Sequence, residues 1–286
     1  MKHDSFVAFI LTHGRADNVI TYSTLRKRGY TGRVVFVVDD EDEQVDEYKS
    51  KYGEDNVYVF DKLAALKEMD EGCNFGNRCA ILYARNKCFD IADELGFRYF
   101  IELDDDYDNF IYSYASVNGE PSQKNIKNLD VVFNIMLDFY IKTNALTIAM
   151  AQRGDFVGGR EDTILKNEQL KRKAMNSFIC DTKRRFNFRG VMNDDVNTYV
   201  TLGRMGGLFF QIPQVALHQL QTQSLAGGMT DTYSESGTYV KSFFSVMYAP
   251  SCVTIGMMGN KNMRMHHHVN WGACVPKILD EKYKKK

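Results

Sequence analysis

The clearest indication of the fold is the segment Phe97-Arg-Tyr-Phe-Ile-Glu-Leu-Asp104-Asp105-Asp106-Tyr107. A short apolar run, typical of a buried strand, ends there on three consecutive carboxylates. Strands buried on both faces of a parallel sheet are continuously apolar, and ligands bind beyond their carboxyl ends. Because side chains alternate along an extended chain, we expect Asp104 and Asp106 to point the same way and Asp105 elsewhere. Two aligned carboxylates suit Mg²⁺ or Mn²⁺ bound with a diphosphate, whereas an acidic turn that only faces water is the alternative.

Strands and helices alternate through the first half of the chain. The sequence predicts strands at 6–11, 33–38 and 57–60 and helices at 18–28, 43–51 and 77–95. Alternation at this spacing is typical of a parallel sheet with right-handed crossovers. The predicted fold class is therefore α/β, with a Rossmann-type, mostly parallel sheet and helices on both faces.

The second half of the chain is less regular. Its patterns predict helices at 129–142, 194–204 and 239–248 and strands at 145–150, 177–180, 186–191, 208–212, 252–257 and 264–269. The polar stretches 112–128 and 221–237 are typical of loops. Since we find neither an internal repeat nor a linker, we expect one continuous domain over residues 1–286.

Composition indicates an ordinary globular protein. The chain has 286 residues, of which 44% are hydrophobic and 26% charged, and none of its apolar runs approaches the ~20 residues that span a bilayer. Met1-Lys-His-Asp leads directly into a strand, so we expect no signal peptide. Six scattered cysteines indicate reduced, structural thiols, with Cys73, Cys79 and Cys88 too irregularly spaced for a zinc site. We therefore expect a cytoplasmic protein without membrane association.

The net charge of −1 hides a strongly basic region. Residues 160–190 contain nine lysines and arginines but only four carboxylates. Cations interleaved with aromatics, as in 183–189, suit phosphate contact and base stacking, although such runs are often only solvated surface. The candidate DNA contacts are Arg160, Lys171, Arg172, Lys183, Arg184, Arg185 and Arg189.

Three further groups of polar residues could carry chemistry. Arg85-Asn86, on the helix before the acidic strand, could clamp a nucleotide or could be a solvated helix face. Asn193-Asp194-Asp195, at a predicted helix start, could supply a general base or only cap the helix. One histidine of His266-His267-His268 could complete a metal site, or all could be structural.

Taken in order, these segments resemble GT-A-fold, nucleotide-sugar-dependent glycosyltransferases. The matching segments are Thr12-His-Gly-Arg15, Val38-Asp-Asp40, Ala84-Arg-Asn86, Leu103-Asp-Asp-Asp106 and Asn193-Asp-Asp195. The second half resembles most the phage glycosyltransferases associated with TET-type dioxygenases, and the related base J glucosyltransferase group. That part of the resemblance depends on Gly159–Asp162, Phe188–Asn197 and Gln219–Gly228. Those families attach a sugar to a hydroxymethylated pyrimidine in DNA.

The resemblance implies roles for individual residues of this chain. Thr12, Arg15 and Asp39 would hold the nucleoside, and Arg85 would support the pyrophosphate or ribose. Residues 1–110 would then bind the nucleotide sugar, and residues 111–286 would bind the acceptor and carry the catalysis. Asp104 would approach both ribose and metal.

The resemblance also implies a metal site and a catalytic carboxylate. Asp106 would be a direct ligand of Mn²⁺ or Mg²⁺, and Asp194 or Asp195 would activate the acceptor hydroxyl. One histidine among 266–268 would be a further ligand. The candidate metal ligands are therefore Asp104, Asp106, His266 and His268.

The implied activity is metal-dependent transfer of a sugar from a UDP-sugar to the hydroxymethyl group of 5-hydroxymethylcytosine or 5-hydroxymethyluracil in phage DNA. A base inside a duplex would have to flip out, or the acceptor would be single-stranded. The main alternative is a glycosyltransferase that acts on a glycan, lipid or protein. A two-metal nuclease using Asp104, Asp106 and Asp194 and a DNA-binding module without catalysis are further alternatives.

Overall fold

The computed structural model describes residues 5–72, 81–115, 121–152, 173–219, 240–258 and 263–276. Its strands are β1 (Phe6–Leu11), β2 (Arg33–Asp39), β3 (Val57–Phe60), β4 (Tyr99–Asp104), β5 (Tyr107–Ala115), β6 (Pro121–Asn125), β7 (Ala145–Gln152), β8 (Ser177–Asp181), β9 (Leu208–Gln219), β10 (Val253–Met258) and β11 (Arg264–Val269). Its helices are α1 (Ile20–Lys27), α2 (Val45–Tyr52), α3 (Lys62–Leu66), α4 (Leu82–Glu94), α5 (Leu129–Lys142), α6 (Asp194–Arg204) and α7 (240–248), with a 3₁₀ turn at Glu54–Asn56.

Nine of these strands form one sheet in the order β3-β2-β1-β4-β8-β7-β9-β5-β6, while β10 and β11 form a separate hairpin. The strand β1 pairs in parallel with β2 and β4, and all six of its residues are buried. Leu11 pairs with both Val37 and Asp104, so β1, β2 and β4 end at one edge of the sheet. Among the strands described, β5 and β8 run against the other members of the sheet. The predicted mostly parallel α/β fold is confirmed.

Two apolar cores cover the two faces of the sheet. Phe9 of β1 belongs to the core that contains Phe89 of α4. The next residue, Ile10, belongs to the core that contains Leu25 of α1 and Phe133 of α5. Successive side chains of a strand alternate between faces, so helices are required on both sides, as predicted.

Of the segment predicted as a loop at 112–128, residues 112–115 and 121–125 are strand, which corrects that prediction, and residues 116–120 lie outside the described ranges. The strand β5 pairs in antiparallel fashion with β9 and β6, and β6 is the edge strand. An edge strand tolerates proline at its first residue and charged side chains along its length, and Pro121 and Lys124 occupy such positions. The polar pattern therefore reflected exposure at an edge and not an irregular backbone.

The strand predicted at 186–191 is also wrong, because this segment is irregular. The Asn86 side chain takes up the backbone groups of Phe188 that a neighbouring strand would otherwise pair. Its Nδ2 donates to the Phe188 carbonyl at 3.1 Å, and its Oδ1 accepts from the Phe188 N–H at 2.7 Å. This pair fixes the segment that leads into α6 against α4.

The cysteines within the described ranges are free thiols, as predicted. Cys88, Cys180, Cys252 and Cys274 are buried free thiols, whereas Cys73 and Cys79 lie outside those ranges. In the same parts of the chain, none of the helices combines the length and apolar character needed to cross a membrane.

The basic turn at 183–185 lies at the edge of the sheet opposite Asp104. The strand β8 is antiparallel to β4, so Asp181, where β8 ends, pairs with Tyr99, where β4 begins. The length of β4, roughly 16 Å at about 3.3 Å per residue, therefore separates the turn from the acidic triplet. The turn therefore does not border the acidic triplet.

Arg184 and Arg185 are bound within the protein, and their role as DNA contacts stays a prediction. Arg184 Nη1 donates to three carbonyls between the end of α5 and the start of β7, at 2.8, 3.1 and 3.2 Å. Arg185 forms ion pairs with two carboxylates of α4. A guanidinium that satisfies the last carbonyls of a helix is a structural cap. Lys183 and Arg185 are exposed, whereas Arg184 is half-buried.

Replacing the capping guanidinium should destabilise the fold. We expect Arg184→Met to lower the free energy of unfolding by about 1–3 kcal/mol, because part-buried carbonyls lose their donor. Urea denaturation followed by circular dichroism measures this quantity. Lys183→Met removes a neighbouring cation and should stay within about 0.5 kcal/mol of wild type. Equal losses in both variants would show that the cap is not what stabilises this region.

Candidate active site

The acidic triplet forms a tight turn and does not continue the strand. The strand β4 ends at Asp104, Asp105 and Asp106 form the turn, and β5 begins at Tyr107. The alternation expected from an extended chain therefore does not apply beyond Asp104, and each carboxylate is oriented by its own partners. Thr21 supports the turn, because its hydroxyl donates to the Asp104 carbonyl at 2.6 Å and accepts from the Tyr107 N–H at 2.9 Å.

Asp105 binds the residues that follow β1. Its Oδ2 accepts from the Thr12 hydroxyl at 2.8 Å, and its Oδ1 accepts from Arg15 Nη1 at 2.8 Å. The Tyr48 hydroxyl bonds Thr12 Oγ1 at 3.0 Å and accepts from the Arg15 backbone N–H at 2.8 Å. Two of the three residues predicted to hold a nucleoside, Thr12 and Arg15, are thus fixed side by side on a carboxylate to which the sequence analysis gave no role.

Asp39, at the end of β2, lies between two cations. His13 Nδ1 is 2.7 Å from its Oδ2, and the amine of the buried Lys62 is 3.2 Å from its Oδ1. Burial alone would raise the pKa of Asp39, but the bond from His13 and the charges of both cations lower it. The hydrogen bond to Asp39 in turn raises the pKa of His13. Sequence reasoning missed Lys62, because a lysine at a helix start is ordinarily exposed.

Arg85 connects the two halves of the site. Its Nη1 donates to Asp194 Oδ2 at 2.7 Å, and its Nη2 lies 3.2 Å from Asp104 Oδ1. The guanidinium carbon lies 4.8 Å from the ring centroid of Phe178 and 5.6 Å from that of Phe188. Two carboxylates and two aromatic faces are contacts that a planar guanidinium satisfies and an ammonium does not. Arg85 is therefore no part of a solvated helix face.

Asp194 and Asp195 are both buried at the start of α6. Asp194 binds Arg85, whereas Asp195 Oδ1 accepts the N–H of Val196 at 2.7 Å. Burial raises the pKa of both carboxyls, and the charge of Arg85 opposes that rise. A raised pKa makes a carboxylate a stronger proton acceptor, as general-base catalysis requires.

Asn193 is a residue that sequence reasoning had not assigned a separate role. It has a left-handed backbone with φ 53°, and its side chain makes no capping hydrogen bond to α6. Its Nδ2 instead donates to the Lys241 carbonyl at 2.7 Å and to the Ser245 hydroxyl at 3.2 Å, both on α7. Asn193 therefore attaches α7 to the segment that carries Asp194 and Asp195.

The structure distinguishes the three histidines of β11. His267 Nδ1 lies 3.4 Å from Asn193 Nδ2, beside the start of α6. Burial and neighbouring positive charges lower the pKa of His267 to about 4, so its ring is neutral at pH 7. The rings of His266 and His268, the predicted metal ligands, lie near it: the ring centroids of His266 and His267 are 4.3 Å apart, and those of His266 and His268 are 6.1 Å apart.

The predicted four-ligand metal site is not assembled as such. Within the described part of the chain, no three histidine, cysteine or carboxylate groups converge on one point. The carboxylates of the turn nevertheless suit a divalent cation. Asp106 Oδ1 is buried and has no hydrogen-bond partner among the residues that the structure describes, and burial together with the charge of Asp104 raises the pKa of Asp106 to about 7. A cation would neutralise this excess charge, and Mg²⁺ is commonly held by one or two carboxylates plus substrate phosphates.

The predicted DNA contacts are only partly described. Arg160, Lys171 and Arg172 lie outside the described ranges. Arg189 is half-buried in the segment before α6, where its backbone N–H donates to Thr198 Oγ1 at 3.1 Å.

Comparison with known proteins places the chain in a family. The family described as TET-Associated Glycosyltransferase matches residues 6–228. Among solved structures, the chain is similar to glucosyl-3-phosphoglycerate synthase from Mycobacterium tuberculosis in complex with Mg²⁺ and UDP. The two share 9% sequence identity with a TM-score of 0.46, and the match covers 92% of this chain and 87% of that one. It is also similar to S. aureus TarS 1-349 in complex with UDP, with a TM-score of 0.43, 12% identity, and coverage of 85% and 64%. No curated protein matches the sequence.

The family match extends across both halves of the site, from β1 past the end of β9. The protein is therefore a glycosyltransferase. It belongs to the TET-associated glycosyltransferase family, which confirms the family predicted from the sequence.

Removing the central guanidinium should destabilise the protein strongly. We expect Arg85→Met to cost about 3–5 kcal/mol of unfolding free energy, because two buried carboxylates lose their counter-charge. Adding Asp194→Asn removes one of those charges and should restore part of the loss. Urea denaturation of the two single variants and the double variant measures the coupling. Strictly additive losses would contradict the proposed bridge.

The ion pair between His13 and Asp39 predicts a pH-dependent stability. Because the pKa of His13 is raised on folding, its contribution is fully present below the unfolded value of about 6.5 and is lost as pH rises through the folded value. His13 is 36% exposed, so we expect His13→Asn to cost only about 0.2–1 kcal/mol at pH 5.5 and less at pH 9. Urea denaturation at both values tests this, and a loss that grows with pH would contradict the assignment.

Proposed function

We propose that the protein transfers a sugar from a UDP-sugar to the hydroxymethyl group of a modified pyrimidine in DNA, with a divalent metal ion as cofactor. The observation that carries the proposal is the family match, together with an acidic turn that lies beside a buried carboxylate pair. The DNA acceptor follows from the family and from the resemblance of the second half of the chain. The metal and the donor follow from the chemistry of the turn and its neighbours.

The donor nucleoside would bind at the carboxyl ends of β1 and β2. Thr12, Arg15 and Asp39 lie there, each held by a neighbouring polar group. Preorganised side chains lose little entropy when a ligand binds, which favours affinity. Asp39 would accept from the base or ribose, with His13 and Lys62 keeping its carboxylate ionised and in place.

Asp104 and Asp106 would hold the metal beside the diphosphate. When bound, the cation would neutralise the charge that develops on the leaving diphosphate. Arg85 would fix Asp104 and thereby the position of the turn. These are roles of binding and orientation, which contribute to the rate by placing the donor before reaction.

Asp195 is the better candidate for the general base that accepts the acceptor's proton. Asp194 is bound by Arg85 at 2.7 Å, so one of its oxygens is already paired with a cation. Asp195 Oδ1 accepts from a backbone N–H, which is a neutral donor, and burial raises the pKa of Asp195. We therefore propose that Asp194 orients Arg85 and that Asp195 accepts the hydroxyl proton.

The test uses the full chain with Mn²⁺, a panel of UDP-sugars, and DNA containing 5-hydroxymethylcytosine or 5-hydroxymethyluracil. We expect one nucleoside to gain the mass of one sugar, measured by mass spectrometry after enzymatic digestion. Asp106→Asn should abolish this gain, because it removes the proposed metal ligand. Asp108→Asn, two residues further and paired with His218, is the matched control and should retain activity.

The other outcomes separate the parts of the proposal. Release of UDP without a mass gain in any nucleoside would eliminate the DNA acceptor and favour a glycan, lipid or protein acceptor. Activity that survives chelation of divalent ions would eliminate the metal. Equal loss in Asp106→Asn and Asp108→Asn would remove the specific role given to Asp106.

A further inference from the structure

Gln219, the last residue of β9, contacts the acidic turn. Its Nε2 donates to Asp106 Oδ2 at 3.1 Å. The other oxygen of that carboxylate, Oδ1, is buried and has no hydrogen-bond partner within the described residues. The two oxygens of Asp106 are therefore not equivalent, because the protein holds one and leaves the other for a ligand.

A second amide fixes the orientation of Gln219. Asn176 Nδ2 donates to Gln219 Oε1 at 2.6 Å. A carboxamide has one accepting oxygen and one donating nitrogen, so this bond directs the Gln219 nitrogen to Asp106. A flipped Gln219 would place its oxygen against the carboxylate and its nitrogen against another donor.

Asn176 also contacts the residue that follows the acidic turn. The fully buried Tyr107, which follows Asp106, donates its hydroxyl to the backbone carbonyl of Asn176. Asn176 has φ 59°, a left-handed conformation that residues other than glycine seldom adopt. Strained residues of this kind persist where the surrounding contacts determine them, and they concentrate at functional sites.

We propose that Gln219 is a positioning residue that holds Asp106 Oδ2 so that Oδ1 faces the divalent cation, with Asn176 setting the orientation of Gln219. The inference rests on the proposed metal-dependent function and adds a named residue to it. The terminal torsion of an aspartate is broad, so an unheld carboxylate would rotate freely. Outer partners of this kind commonly change metal affinity by about 10–100-fold.

The test measures Mn²⁺ binding to the full chain in the presence of UDP, from the electron paramagnetic resonance signal of free Mn²⁺. Gln219→Met retains side-chain length but removes the amide, and should weaken Mn²⁺ binding by about 10–100-fold. It should also raise the Mn²⁺ concentration that gives half-maximal release of UDP, while kcat at saturating Mn²⁺ stays near wild type. A purely structural role would lower stability without changing the Mn²⁺ affinity of the folded protein.

Two further variants protect this test against a folding defect. Asn176→Gly allows the same positive φ without steric cost and removes only the carboxamide that orients Gln219. It should weaken Mn²⁺ binding in the same direction, but less. His218→Gln, the preceding residue of β9, alters a side chain that pairs with Asp108 and should bind Mn²⁺ as wild type does.

The outcomes distinguish this inference from the function it rests on. If folded Gln219→Met and Asn176→Gly bind Mn²⁺ like wild type while Asp106→Asn does not, Gln219 has no positioning role and the metal site stands. If His218→Gln weakens binding as much as Gln219→Met, the effect belongs to the strand and the inference fails. If the wild-type protein binds no Mn²⁺ with UDP, the inference and the metal-dependent function fall together.

Discussion

The buried guanidinium of Arg85 is the interaction on which the site depends. It binds Asp104 at the end of β4 and Asp194 at the start of α6, two positions that lie ninety residues apart in the chain. Burial raises the pKa of both carboxyls, and the charge of Arg85 opposes that rise. Without this cation, two carboxylates could not remain charged and close together in the interior. Asn86, the next residue of α4, holds the segment leading to α6 through Phe188, so consecutive residues of one helix join the two halves.

The three carboxylates of the turn differ because of their partners and not because of their sequence. Asp104 binds a buried cation, Asp105 binds two residues that follow β1, and Asp106 binds a neutral amide. Both oxygens of Asp105 accept hydrogen bonds within the protein, which leaves this carboxylate little capacity for another ligand. A carboxylate held at one oxygen by an amide keeps the other available, which is why Asp106 is the proposed direct ligand. Likewise, Asp194 is paired with the cation of Arg85, whereas Asp195 accepts from a neutral backbone N–H.

Much of the fold was predictable from the local pattern of apolar and polar residues. The strands at 6–11, 33–39 and 57–60 were predicted within one residue, because continuous apolar runs flanked by polar turns have few other solutions. The edge hairpin of β5 and β6 was missed, because exposed strands carry polar side chains that are also typical of loops. The pattern of segment 186–191 predicts a strand, whereas the backbone groups of Phe188 bind the side chain of Asn86 and not a neighbouring strand.

The sequence alone was sufficient to predict the fold class and the family. It was also sufficient to select the candidate site residues Thr12, Asp39, Arg85, Asp104 and Asp194. These depend on residue type and spacing, which are local properties of the chain. The contacts of each side chain, by contrast, are seen only in the three-dimensional structure. It placed Arg184 on the end of α5, Gln219 on Asp106 and His267 beside the start of α6. Contacts between residues that lie tens of positions apart depend on strand order, burial and the direction of each side chain. Local sequence patterns do not specify these properties.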